Sequence, residues 1–169
     1  MVLGLESYRT RRRQTLGRTK GRAERLLNMA DKNIRVKDVM TRDPATVGPQ
    51  DSLRVAIETM ATVGCRRLPV ISGGLLVGIV ADLDIREALN SPIVLRERWQ
   101  DEQLMDHATV EACMTVNPIT VTPDTPAVEA ARLMRDHKVG GLPVMEGSEL
   151  VGIVTETDLL DALIKLLMV

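Results

Sequence analysis

Apolar positions along this chain fall into two rhythms, and each rhythm occurs twice. After Pro49, the residues Leu53, Ala56, Ile57, Met60 and Ala61 stand at i, i+3, i+4, i+7 and i+8. That spacing predicts an amphipathic helix, with Asp51 as its candidate cap. A second such face follows Thr125-Pro126, with Thr125 at the cap and Pro126 at the first helical position, where a missing N–H costs nothing. Between and beyond these helices lie short continuous apolar runs, Leu68-Pro69-Val70-Ile71 and Leu76-Val77-Gly78-Ile79-Val80, separated by Ser72-Gly73-Gly74. Runs without alternation predict strands buried on both faces. Further helices are expected from Asp82 to about Asn90 and from Glu156 to about Leu167. With a short strand ahead of each first helix, the order is β-α-β-β-α, twice.

The two copies align without a gap. Placing Met40 on Met114 gives 18 identities in 45 positions, far above chance self-similarity. Among them are Met40-Thr41 with Met114-Thr115, Pro44 with Pro118, Leu68-Pro69-Val70 with Leu142-Pro143-Val144, and Asp84 with Asp158. A unit of about 50 residues buries too little apolar area to stand alone, so the copies must pack on one another. The expected fold is therefore mixed α/β (α+β): two β-α-β-β-α repeats, 34–90 and 108–169, packed sheet to sheet with pseudo-two-fold symmetry. The linker 91–107, with Pro92 and Trp99, is expected to be helical and to brace the halves, with Trp99 partly buried.

Composition narrows the picture. There is no Phe, one Tyr and one Trp, so the core is aliphatic, and no aromatic platform for single-stranded nucleic acid is expected in the folded part. No apolar run approaches the ~18 residues that span a bilayer, so no membrane association is expected, and the first residues lack the apolar core of a secretory signal. Two cysteines, Cys65 and Cys113, make no disulfide framework and fit a reducing cytoplasm. Charge is uneven: residues 1–33 hold nine basic and three acidic residues, +6 in all, leaving -7 for the remainder. Such an arm is a solvated extension, a nucleic-acid contact, or a segment ahead of a true start at Met29.

Candidate chemistry gathers at the end of each repeat. In Gly152-Ile153-Val154-Thr155-Glu156-Thr157-Asp158, Thr155 and Asp158 have the spacing of a capping box, and on the residues alone that is the favoured role. The same groups at a helix start can also hold phosphate and ribose. The first copy has Ala81 in place of the threonine, and Asp82 adds negative charge beside Asp84. Arg66-Arg67 precede Leu68-Pro69 in the first copy, where the second has Gly140-Gly141; on a strand the two arginines point to opposite faces, so one at most is expected to line a given site. His107 and His137 are the only histidines, and neither is spaced with Cys65, Cys113 or a carboxylate as zinc or nucleophilic catalysis requires, so no catalytic and no metal-ligating residue is expected.

The recurring residues resemble the cystathionine-β-synthase (CBS) domain: Met-Thr-x-x-Pro, a helix ending in Met, Leu-Pro-Val, then Leu-Val-Gly-Ile-Val and Asp. Two in tandem resemble a CBS pair, or Bateman module, over about 34–165. The resemblance implies a stand-alone regulatory module that requires no cofactor and catalyses nothing. Its implied ligand is AMP, ADP or ATP, ahead of S-adenosylmethionine or NAD, and the protein it regulates lies on another chain. It implies a strong cleft of Thr46, Arg66, Arg67, Leu68, Pro69, Ile153, Thr155 and Asp158, and a weaker one of Ala81, Asp84, Thr120, Gly140, Gly141 and Pro143. It also implies a homodimer burying the apolar faces of Leu53, Ile57, Met60, Leu133, Met134 and the end Leu159–Met168. Two alternatives stand beside this: a nucleic-acid-binding protein acting through 1–33, and a dimerisation module with an empty cleft.

Overall fold

The computed structural model describes residues 34–89 and 98–168, with backbone alone for 98–102. The basic arm 1–33 and Asn90 therefore lie outside the described residues, as does the side chain of Trp99. The first repeat contains β1 (Thr41–Arg42), α1 (Leu53–Val63), β2 (Arg67–Ser72), β3 (Leu75–Ala81) and α2 (Asp82–Leu89). The linker ends in α3 (Arg98–His107). The second repeat contains β4 (Thr115–Val116), α4 (Ala127–His137), β5 (Gly141–Glu146), β6 (Glu149–Thr155) and α5 (Glu156–Leu167).

The order matches the expected β-α-β-β-α, but the first strand of each repeat crosses over. One antiparallel sheet runs β1-β6-β5 and the other β2-β3-β4, so each borrows its third strand from the opposite repeat. The cores follow the same exchange. Val36 is fully buried among Val121, Ala130, Leu142 and Val144 of the second repeat, and Val110 among Leu53, Ala56, Leu68 and Val80 of the first. Backbone bonds fix both crossings: Val36 N–H donates to Thr125 O at 2.9 Å, and Val110 N–H to Asp51 O at 2.9 Å. The sequence repeats and the spatial halves are thus different divisions of the chain.

The motif residues explain themselves at the crossover. A Cβ on Gly152 would stand 2.8 Å from Met40 Sδ and 2.9 Å from Thr41 O; one on Gly78 would stand 2.7 Å from Met114 Sδ. Each Met-Thr therefore packs onto the glycine of the other repeat, and only glycine admits it. Asp43 and Asn117 follow in the left-handed region (φ 45° and 48°), the conformation that Asp and Asn tolerate best among residues with a Cβ.

Both helix starts differ from expectation by one residue. Ser52, not Asp51, caps α1 and accepts from Val55 N–H, while the Asp51 carboxylate accepts from Gly48 N–H at 2.7 Å and closes the preceding turn. Pro126 occupies the cap of α4, and Thr125 Oγ1 instead accepts from Thr122 N–H at 3.0 Å. A hydroxyl or carboxylate one residue early serves the turn, because the chain still has to bend there. Ser72 belongs to β2, leaving Gly73 and Gly74, both at positive φ, to make the hairpin turn.

Burial corrects part of the expected apolar surface. Leu53, Met60 and Met134 lie in the cores, and Ile57 and Leu133 are half-buried against them. What remains exposed is on α5 and just beyond: Leu160, Leu163, Ile164, Leu167 and Met168. No helix among the described residues is long and apolar enough to cross a membrane.

Candidate functional site

Where the repeats meet, a cavity of about 300 Å³ opens between the start of α5 and the segment leading into β2. That size is at the lower end of small-molecule clefts. It is lined by Ile153, Thr155, Thr157 and Asp158 of the second repeat and by Thr41, Pro44, Ala45 and Val63 to Arg67 of the first. The strand exchange is what brings Thr41 and Pro44 here, since β1 lies on β6 at Thr41–Ile153.

The Asp158 side is a complete capping box. Thr155 N–H and Thr155 Oγ1 both donate to Asp158 Oδ2, each at 2.7 Å, and Thr155 Oγ1 accepts from Asp158 N–H at 3.4 Å. Structural and binding roles do not exclude one another, because the two bonds use one carboxylate oxygen. Among the described residues Oδ1 accepts nothing, and it is free to take hydroxyl donors from a ligand. The pseudosymmetric Asp84 closes only half of this arrangement: its Oδ2 accepts from Ala81 N–H at 2.9 Å, and no hydroxyl joins it.

Two arginines, Arg66 and Arg67, line the same cavity. The expectation that only one would do so assumed a strand through both. Strand β2 begins at Arg67, and Arg66 lies in the bend before it, so the alternation of faces does not apply. Among the described residues neither guanidinium has a hydrogen bond or an ion pair, in contrast to the paired Arg35, Arg54 and Arg135.

Five of the eight residues expected in the strong cleft meet here: Arg66, Arg67, Ile153, Thr155 and Asp158. Leu68 and Pro69 do not line the cavity, because both are fully buried in the core beneath β2; Thr46 is exposed outside it. In the second set, Pro143 is likewise fully buried and Thr120 is exposed. Ala81 and Asp84 are half-buried at the start of α2, while Gly140 and Gly141 lie under the Arg67 side chain. Sequence reasoning missed Thr41, Pro44, Ala45, Val63, Gly64, Cys65 and Thr157. Thr41 and Pro44 carried a signal, as members of the repeated Met-Thr-x-x-Pro, but their place at this cavity depends on the strand exchange. No group of three or more His, Cys, Asp or Glu among the described residues is arranged to hold a metal.

Tandem repeats that exchange strands around a pseudo-two-fold axis, with a cleft between them, define a class of paired modules. The CBS-domain sequence pattern matches residues 36–91 and 110–165, and the chain belongs to the CBS-domain family as a tandem pair. It is 42% identical over 138 residues to a CBS domain-containing protein of Dictyostelium discoideum, covering 79% of this chain and 94% of that one. Several other curated relatives are longer, and the chain spans between a quarter and a half of their length. Among solved structures, CBSX2 in complex with AMP superposes with a TM-score of 0.64 at 30% identity, over 78% of this chain and 97% of that one. The CBS domain pair of MJ0100, in complex with 5'-methylthioadenosine and S-adenosylmethionine, gives 0.64 at 29% identity, over 78% and 96%.

Proposed function

We propose that this CBS pair is a non-catalytic sensor that takes an adenosine-containing ligand in the Asp158 cleft and reports its occupancy to a separate protein. The observation that carries the proposal is that one cavity of about 300 Å³ is lined by Asp158, whose Oδ1 accepts nothing among the described residues, and by Arg66 and Arg67, which have no hydrogen bond or ion pair among them. A carboxylate oxygen suits ribose hydroxyls, and two cations with no carboxylate partner suit phosphate. The solved pairs with AMP, 5'-methylthioadenosine and S-adenosylmethionine support the adenosine portion. The arginines favour AMP, ADP or ATP over S-adenosylmethionine, whose sulfonium adds positive charge; NAD also carries phosphate, but its second nucleoside asks for more room than a cavity of about 300 Å³ gives. The proposal includes a homodimer formed through the exposed face of α5, and a cytoplasmic setting in which Cys65 and Cys113 remain thiols.

A thermal-shift panel of these five compounds, followed by calorimetry, tests the proposal. A ligand that binds only the folded chain stabilises it by about 2.7 kcal/mol at ~100-fold excess over its Kd. A panel in which none of the five raises the melting temperature would overturn it.

A further inference from the structure

We infer that residues 24–33 dock along α4 and α5, on the face of the second half that corresponds to the one α3 covers in the first. The chain enters both halves by the same path. The first N–H of α1, on Leu53, donates to Ala108 O at 3.0 Å, and the first N–H of α4, on Ala127, donates to Ile34 O at 2.9 Å. Ala108 and Ile34 are equivalent positions of the repeat, so the segment ahead of Ile34 starts out beside α4 as α3 does beside α1. In the first half α3 packs against both α1 and α2, and Arg54 of α1 pairs with Asp106 of α3. Among the described residues no third helix packs in this way on α4 and α5.

Burial marks the uncovered face. On α2, Ile85 is fully buried and Leu89 half-buried; their counterparts on α5 are Leu159, half-buried, and Leu163, 41% exposed. On α4, Val128 stands where α1 has Arg54 and is 60% exposed. The residues ahead of Ile34 suit that face. Ala23, Leu26, Leu27 and Ala30 stand at i, i+3, i+4 and i+7, an apolar stripe of helical spacing, and Ala30 is the equivalent of Leu104, half-buried on α3. The ion pair changes at both ends together: where the first half has Arg54 and Asp106, the second has Val128 and Lys32. A lysine stem lies well on a valine with its ammonium in water, whereas an arginine kept at 128 would repel it. The +6 of residues 1–33 against -7 in the rest draws the arm to the body. The adjoining stripe of α5, Leu160, Ile164 and Leu167, stays open to a second copy.

Limited trypsin digestion of the full chain, followed by mass spectrometry, tests the inference. Cleavage after Arg25 should be about tenfold or more slower than after Arg13, since burying two leucines raises the cost of the opening that cleavage requires. Val128→Arg and, separately, Ala30→Glu should bring Arg25 to the rate of Arg13. Adding Lys32→Asp to Val128→Arg should restore protection by recreating the ion pair of the first half. Val128 is exposed and Ala30 precedes the described elements, so both variants keep the fold. Protection should be unchanged on dilution. Equal cutting at Arg25 and Arg13 in wild type, protection that survives both single changes, or a Val128→Arg loss that Lys32→Asp leaves in place would overturn the inference. Protection that falls on dilution would assign the face to a second copy, and overturn it as well.

Discussion

Met40 of the first repeat lies on Gly152 of the second, its sulfur 2.8 Å from where a Cβ would stand, and Met114 repeats the contact on Gly78. These pairs hold each borrowed strand against its host sheet. Gly152→Ala should cost about 1–3 kcal/mol in urea unfolding, because the Thr41 carbonyl behind the methionine is backbone and cannot swing away. Gly78→Ala should behave alike. A double-mutant cycle with Met40→Ala should show a coupling above about 0.5 kcal/mol, and strict additivity would mean the contact is not felt.

Asp158→Ala should abolish the tight calorimetric isotherm for AMP, and Asp84→Ala should leave it nearly unchanged. Both carboxylates accept from the backbone N–H three residues before them, at 2.7 and 2.9 Å, and Asp158 accepts from the Thr155 hydroxyl as well. Each change should lower stability by about 0.5–2 kcal/mol, the worth of a helix cap, with Asp158→Ala the larger loss. If Asp84→Ala damages binding more, the two clefts have been assigned the wrong way round.

Bound AMP should shield Cys65 from alkylation, because Cys65 lines the cavity. Cys113 packs against the first core; burial, and then the charge of Asp84, push its thiol up, so it should react slowly with or without ligand. Peptide mapping after iodoacetamide treatment measures both. Equal labelling of Cys65 with and without saturating AMP would place the ligand elsewhere.

Acid should erase one tie between the repeats. Lys37 Nζ and Arg35 Nη1 approach Asp124 Oδ1 at 2.8 and 2.9 Å and hold its carboxyl below the ordinary range. The unfolded chain lacks these partners and protonates first as pH falls, at about 3.9. The contribution is therefore complete above that value and vanishes as pH drops through the lower folded one. Asp124→Asn should melt below wild type at pH 7 and converge with it in acid. A difference that widens on acidification would contradict the assignment.

The exposed side of α5 should close on a second copy. Leu167 is 65% exposed and Ile164 51%, one turn apart and beside Leu160 and Leu163. Light scattering should give twice the chain mass, and Leu163→Glu with Leu167→Glu should halve it while the fold persists. A wild-type monomer at high micromolar concentration would rule this dimer out.

Much of this architecture is legible in the residues because local rules and global fold agree. Glu156–Leu167 is helical as expected, and Leu68 and Val70 are buried as an apolar run in β2 should be. The hidden part is non-local. Nothing in Thr41-Arg42 says which sheet it joins, so the residues alone do not bring Thr41 and Pro44 to the cavity of Asp158. The resemblance names Leu68, Pro69 and Pro143 as binding residues, and in the fold all three side chains are fully buried. Arg66 and Arg67 fall on opposite faces only if the strand starts one residue earlier than it does.

The exchanged first strands have a consequence for how such a chain diverges. A single repeat could complete its sheet only with a second identical chain, and across a true two-fold axis arginine would face arginine and glycine would face glycine. Joining the copies in one polypeptide lifts that constraint. Arg67 can then lean on Gly140, a lock-and-recess pairing that strict symmetry forbids. Covalent fusion here does more than raise local concentration: it lets one ancestral surface become two unequal ones, each shaped to the other.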